Sequence, residues 1–180
     1  MYKRLMERFT ADSFSGAKLN IYRATPTNRP KAVVHISHGM AEHAKRYAWF
    51  MQVLKEAGYA VYAHDIRGHG YTYAKNSSKG HFSDKHGLDQ LLHDLDFVID
   101  LIKQNHSKIP IFCFGHSLGS ILLLRYVTHA YHRINGIACW NSGIETNLLA
   151  MIGRIILSTE RKFLHPRKRS HFAWILTFQS

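Results

Sequence analysis

Cysteine is scarce in this sequence: Cys113 and Cys139 are the only two in 180 residues. Both fall in apolar, strand-like runs, which excludes a disulfide framework and predicts two buried thiols in a reducing compartment. Proline is rare too, at 4. No tract is repeated or low in complexity, so solenoids and disorder are set aside. No stretch reaches the roughly 18 apolar residues of a membrane span, and the N-terminal MYKRLMERFTADSF has no apolar leader core. A cytoplasmic location is the expectation. Acidic side chains are also few, 12 against 24 Lys and Arg, for a formal charge of +12. The imbalance is steepest after residue 150, where Arg154, Arg161, Lys162, Arg167, Lys168 and Arg169 face Glu160 alone. Such a balance favours anionic partners, or else a solvated face whose acidic counterpart lies elsewhere.

What is present is an alternation. Apolar runs recur as AVVHISHG (32–39), YAVYAHD (59–65), IPIFCFG (109–115) and GIACWNS (136–142), each short enough for a buried strand. Between them lie helical stripes: Tyr47, Phe50, Met51 and Leu54, then Leu88, Leu91, Leu92, Leu95, Ile99 and Ile102. A third helix is predicted from Ser117 to about Ala130. The order implies parallel βαβ units with right-handed crossovers. MERFTA and KLNIYRA, separated by a turn at Ser15-Gly16, predict an antiparallel hairpin at the sheet edge. From Ile144 the pattern changes to apolar NLLAMIGRIIL and then basic ERKFLHPRKRSHF. The expected organisation is therefore a core over 1–143 and a separate segment over 144–180.

Gly115-His116-Ser117-Leu118-Gly119 satisfies G-x-S-x-G at the turn from a buried strand into a helix. The two glycines permit a sharp turn, and the serine hydroxyl then stands above the carboxyl edge of the sheet. Ester hydrolysis also needs donors for the tetrahedral oxyanion. On this architecture one donor is the N–H after the nucleophile, Leu118, and the other comes from a loop after an earlier strand, here Met40 in SHGMAEHAKRY.

HGMAEHAKRY (38–47), HDIRGHGYT (64–72), GHFSD (80–84) and GHSLGS (115–120) together resemble, in order and spacing, the α/β-hydrolases typified by monoacylglycerol lipase and the bacterial lysophospholipases. The resemblance spans about residues 5–145. It implies an α/β-hydrolase fold, a mostly parallel sheet with an N-terminal antiparallel hairpin, incomplete on its C-terminal side. It implies Ser117 as nucleophile, Met40 and Leu118 as oxyanion-hole residues, and Glu42 and Arg46 near the alcohol end of a glycerol ester. Two positions depart from the pattern: Ala41 stands where many members have Gly, and Ser120 where many have a third Gly. The resemblance also implies that 144–180 is the start of a cap over the substrate pocket, cut short.

Other clusters carry less. Asp65, Arg67 and His69 are expected to tie down a tight loop through side-chain to backbone hydrogen bonds. The 14 histidines show no metal-ligand spacing, and RGHG opens no dinucleotide-binding helix, so neither metal nor cofactor is expected. The partner expected is a lipid-like ester, with peripheral contact to anionic membrane through 147–169 and no nucleic acid.

The triad order on this fold is Ser, then Asp or Glu, then His. After Ser117 the acids are Glu145 and Glu160, and the histidines are His129, His132, His165 and His171. His129 lies about 18 Å along a helix that leaves the serine, at 1.5 Å per residue. His165 and His171 follow no strand. Glu145 follows the last strand but wants a histidine. The acid and base are therefore expected beyond Ser180, and the chain reads as a fragment that is inactive alone. The alternative is a shortened, non-catalytic relative that binds membrane or another macromolecule through its basic C-terminal segment.

Overall fold

The computed structural model describes residues 6–142, 148–164, 167–168 and 170. They fall into two compact units, within 1–142 and 143–180.

The first unit is built on one sheet. The hairpin strands β1 (Glu7–Asp12) and β2 (Ala17–Ala24) pair antiparallel, Glu7 opposite Arg23 and Asp12 opposite Lys18. β3 (Val33–Ser37), β4 (Ala60–His64), β6 (Ile111–His116) and β7 (Gly136–Trp140) form the parallel part. A two-residue strand, β5 (Tyr73–Ala74), pairs with β2 and was not legible as a strand. The order is β1-β2-β4-β3-β6-β7, with β5 beside β2.

Strand alternation divides the core between two faces. Val33, Ala60, Tyr62, Ile111 and Cys113 pack with Leu95, Val98, Ile99 and Ile102 of α2 (Gly87–Asn105) and with Leu122, Leu123 and Tyr126 of α3 (Leu118–Ala130). On the other face Ile36, Val61 and Ala63 pack with Met51 of α1 (Ala48–Glu56), backed by Phe50, Leu54 and Phe114. Helices thus cover both faces, as the apolar parallel strands require. Before α1, Ala44–Tyr47 forms one 3-10 turn.

Three expectations need correction. α3 starts at Leu118, because Ser117 itself sits at φ 49°, ψ −113°, outside the helical region. Leu88 is 47% exposed, so the buried stripe of α2 begins one turn later, at Leu91. Cys139 is an exposed thiol and only Cys113 is buried; β7 has a single described neighbour, β6, and leaves Ala138, Cys139 and Trp140 uncovered.

The second unit contains α4 (Leu148–Phe163), which exposes Ile152, Ile155 and Phe163. No described helix is long and apolar enough to cross a membrane.

Candidate active site

Ser117 sits on a turn that only glycine can build. A Cβ on Gly115 would stand 2.7 Å from the Ser120 amide nitrogen. One on Gly119 would fall inside contact distance of the Ser37 carbonyl and 2.8 Å from the His38 carbonyl oxygen. α3 therefore rests directly on the end of β3, and the turn into it is tight enough to push the serine into a rarely populated backbone region, which costs about 1–3 kcal/mol. The surroundings hold it there. The Ser117 N–H donates to the Trp140 carbonyl at 2.9 Å, and the Ser120 hydroxyl bridges the Gly115 and Trp140 carbonyls at 2.7 and 3.1 Å. Ser120 thus uses its side chain to tie the elbow to β7.

The loop after β3 lies against this turn. Ser37 is in register with Gly115, and His116, the residue before Ser117, places Nδ1 2.9 Å from Glu42 Oε1. The same oxygen accepts from the Gly39 N–H and from the Tyr47 hydroxyl, the latter at 2.8 Å. A carboxylate only accepts, so the His116 proton sits on Nδ1. Burial pushes the Glu42 carboxyl up, but the donors from His116, Gly39 and Tyr47 outweigh it and leave it below its usual range. Burial, with the Glu42 charge, raises the Tyr47 phenol. Met40 lies between Gly39 and Ala41 on this loop, and no hydrogen bond from its N–H or from that of Leu118 is present among the described residues. Both N–H groups are thus unspent among the described residues.

Three further rungs tie the loop to the one after β4. The Ile66 N–H donates to His38 Nε2 at 2.9 Å, the Ala41 N–H to His69 Nε2 at 3.3 Å, and the Ala44 N–H to Asp65 Oδ1 at 2.9 Å. The other ring nitrogens of His38 and His69 donate to the Gly39 and Arg67 carbonyls. Asp65 Oδ2 accepts from the Tyr71 N–H and from Asn20, at 2.9 and 2.8 Å. Asp65 and His69 therefore fasten the backbone as expected. Arg67 does so in part: it donates to the Ser15 carbonyl at 3.0 Å, but it is fully buried and its main partners are side chains, Asp94 Oδ2 at 2.7 Å with Asn76 and the Ser15 hydroxyl.

Deeper in the sheet, His35 Nε2 and His64 Nδ1 meet at 3.0 Å, with the rings stacked. Burial, then the neighbouring histidines, holds His35 well below the ordinary imidazole range; burial lowers His38 and His64 to about 4 each. These rings are neutral at pH 7. Among the described residues no group of three or more His, Cys, Asp or Glu is placed to hold a metal ion.

The structure thus gathers Ser117, Leu118, Met40 and Glu42 into one place. Arg46 stands at the rim, 65% exposed and 3.6 Å from Glu42 Oε2. His129, in the last turn of α3, and His132, just beyond it, are exposed, and no described histidine or carboxylate is hydrogen-bonded to the Ser117 hydroxyl. Glu145, His165 and His171 lie outside the described residues. Sequence reasoning missed His116 and Tyr47, the two side chains that hold Glu42. His116 occupies a free position of G-x-S-x-G, and only the register of Ser37 with Gly115 reveals its partner.

With this geometry in place, a family described as "Serine aminopeptidase, S33" matches residues 28–173. The chain belongs to that family. Its fold is that of the α/β-hydrolases. It is similar to a monoacylglycerol lipase of Mycolicibacterium smegmatis, 35% identical over 102 residues, which are 57% of this chain and 34% of that one. A soluble variant of monoglyceride lipase from Saccharomyces cerevisiae, solved with a substrate analogue, has a TM-score of 0.69 at 26% identity, covering 90% of this chain and 53% of its own. A thermostable carboxyl esterase from Bacillus coagulans matches the fold with a TM-score of 0.80 at 22% identity, over 94% of this chain and 55% of that one. The match spans about a third of the curated lipase and about half of each solved enzyme.

Proposed function

We propose that this chain carries the nucleophile and oxyanion hole of a hydrolase acting on lipid-like carboxylic esters, of the monoacylglycerol or lysophospholipid type. The observation that carries the reading is the strained Ser117 elbow beside two unspent N–H donors, Met40 and Leu118. The names of the relatives, monoacylglycerol and monoglyceride lipase, support an ester rather than a peptide substrate.

On this reading the Ser117 oxygen attacks the ester carbonyl while a general base removes its proton. The carbonyl oxygen takes up negative charge between the Met40 and Leu118 amides. Collapse of the tetrahedral intermediate expels the alcohol and leaves an acyl group on Ser117, which water then removes. Arg46 meets the hydroxyls of the alcohol end. Glu42, whose Oε1 already takes three donors, reaches the alcohol only through Oε2 beside Arg46. No cofactor enters, and two unpaired thiols fit a reducing, cytoplasmic setting.

Ser117→Ala in a catalytically complete form should lower kcat at least about a thousandfold. Wild-type turnover would remove Ser117 from its role. The 180 residues alone should be silent towards p-nitrophenyl acyl esters, because no described base reaches Ser117. A Ser117-dependent rate from a monodisperse preparation would overturn that part.

Residues 144–180, the start of a cap segment on this reading, support a second activity. α4 exposes Ile152, Ile155 and Phe163, with Lys162, Arg167 and Lys168 exposed beyond or beside them. An apolar helix followed by cations suits peripheral contact of 147–169 with anionic membrane, each cation contributing about 1 kcal/mol. Equal flotation with neutral and anionic liposomes would remove the electrostatic part.

A further inference from the structure

The outward stripe of residues 45–57 is unusual for a surface helix. Exposure recurs at Lys45, Arg46, Trp49, Val53, Glu56 and Ala57, once per turn. The inward stripe is already filled by Ala44 and Met51, with Tyr47, Phe50 and Leu54 packed around them. Packing therefore asks nothing of Trp49, yet it is an indole 76% exposed, followed one turn on by Val53 at 39%. Met40, on the preceding loop, is 54% exposed. Large apolar groups left in water along the loop and helix that follow β3 mark a contact surface.

Position and charge narrow the contact. β3 ends at Ser37, so the first turn of α1 lies at the carboxyl edge of the sheet, the edge from which Ser117 projects. Lys45 and Arg46 are exposed there. The carboxylate nearest them in sequence, Glu42, has a side chain only 8% exposed, is held by His116, Gly39 and Tyr47, and pairs with Arg46 at 3.6 Å, which leaves Lys45 as the cation without a carboxylate beside it in sequence. The next, Glu56, is at the far end of α1, where it accepts from Gln52 at 2.6 Å. The end nearer the site is thus apolar and cationic. One indole, one valine and one methionine fall far short of the roughly 800 Å² per partner of a stable protein interface. A ring with an apolar body and a polar N–H, flanked by cations, is the combination that seats at lipid head-group depth.

We propose that this end of the molecule docks on an anionic lipid surface, Trp49 entering the head-group layer and Lys45 meeting lipid phosphates. The inference rests on the lipid-ester reading, for which it names the face that meets the substrate's bilayer. It is independent of residues 147–169.

The test is flotation of the full chain with phosphatidylcholine vesicles, with and without phosphatidylserine. Wild type should bind the anionic vesicles more strongly and lose that advantage in high salt. Trp49→Ala should weaken binding about tenfold, and Lys45→Ala about fivefold, each with an unchanged melting curve because both side chains are exposed. Trp49→Phe should recover part of the loss. Binding of Trp49→Ala equal to wild type overturns the proposal, as does Trp49-dependent self-association without vesicle binding, which would assign the patch to a second copy. Either result leaves Ser117 chemistry standing, because that is read on soluble esters.

Discussion

Two turns meet at the carboxyl edge of the sheet and are held by opposite means. The loop at 38–44 is fixed by side chains: Glu42, His38, His69 and Asp65 each take a backbone N–H that no regular structure would satisfy. The elbow at 115–119 is fixed by the absence of side chains, with Gly115 and Gly119 letting backbone rest on backbone. A hydrogen-bonded loop responds to protonation and to the loss of one partner. A sterically locked turn is indifferent to pH and intolerant of a single methyl group. The proposed oxyanion site would join one donor of each kind, Met40 from the first and Leu118 from the second.

The comparison is broken most widely by acid. His38 and His64 titrate at about 4 when folded, against about 6.5 in an unfolded chain. Between those values the unfolded chain takes up protons that the native state refuses, so stability falls as pH drops from about 6.5 to about 4, by roughly 3 kcal/mol for each group. Above pH 6.5 these groups contribute no slope. Urea midpoints at pH 7 and 4.5 measure it, and equal midpoints would show that the rings are not held neutral. Gly119→Ala attacks the other turn and should cost more than about 4 kcal/mol at any pH, since the new carbon meets the Ser37 and His38 backbone rather than a movable side chain. Near wild-type stability would mean that α3 can lift from β3.

Asp94→Ala removes the partner of a fully buried guanidinium. Unfolding titrations should show a loss of about 3–5 kcal/mol, because Arg67 is left charged and uncompensated. Asp94→Asn should recover part of it by keeping an acceptor. The smallest effect belongs to Ala41, which holds φ 59°. Ala41→Gly should stabilise by about 1 kcal/mol in thermal melts, since only glycine occupies that region freely. A loss of stability would show that loop entropy outweighs backbone strain.

Much of this was legible in the sequence. The hairpin, the four parallel strands and their helices follow from periodicity, and the elbow follows from two glycines around Ser117. What was not legible arises where tertiary position overrides local pattern. Cys139 sits in a run as apolar as that of Cys113, yet among the described residues one strand has neighbours on both sides and the other on one. Leu88 has the spacing of a core residue, but the first turn of α2 follows an exposed stretch, 84–86, and remains at the surface. Tyr73–Ala74 pairs with β2 through a loop geometry that no propensity announces. Glu42 lies four residues before Arg46, a spacing that suggests an ion pair, but its closest partners are Tyr47, Gly39 and a histidine 74 residues away.

The Ser117 N–H is bonded to the carbonyl of Trp140, on a strand with a single described ladder neighbour. In terms of motion, the Ser117 amide is protected by a strand at the margin of the described sheet, not by the sheet's buried centre. Local opening of β7 releases Trp140 and with it the lock on Ser117, while β3 and β4 stay closed. Amide exchange at Ser117 should therefore keep pace with β7 rather than with Ile36 or Ala63. The readiness of the hydroxyl would then be set at the sheet's margin: whatever pairs with β7 slows the serine's excursions without touching it.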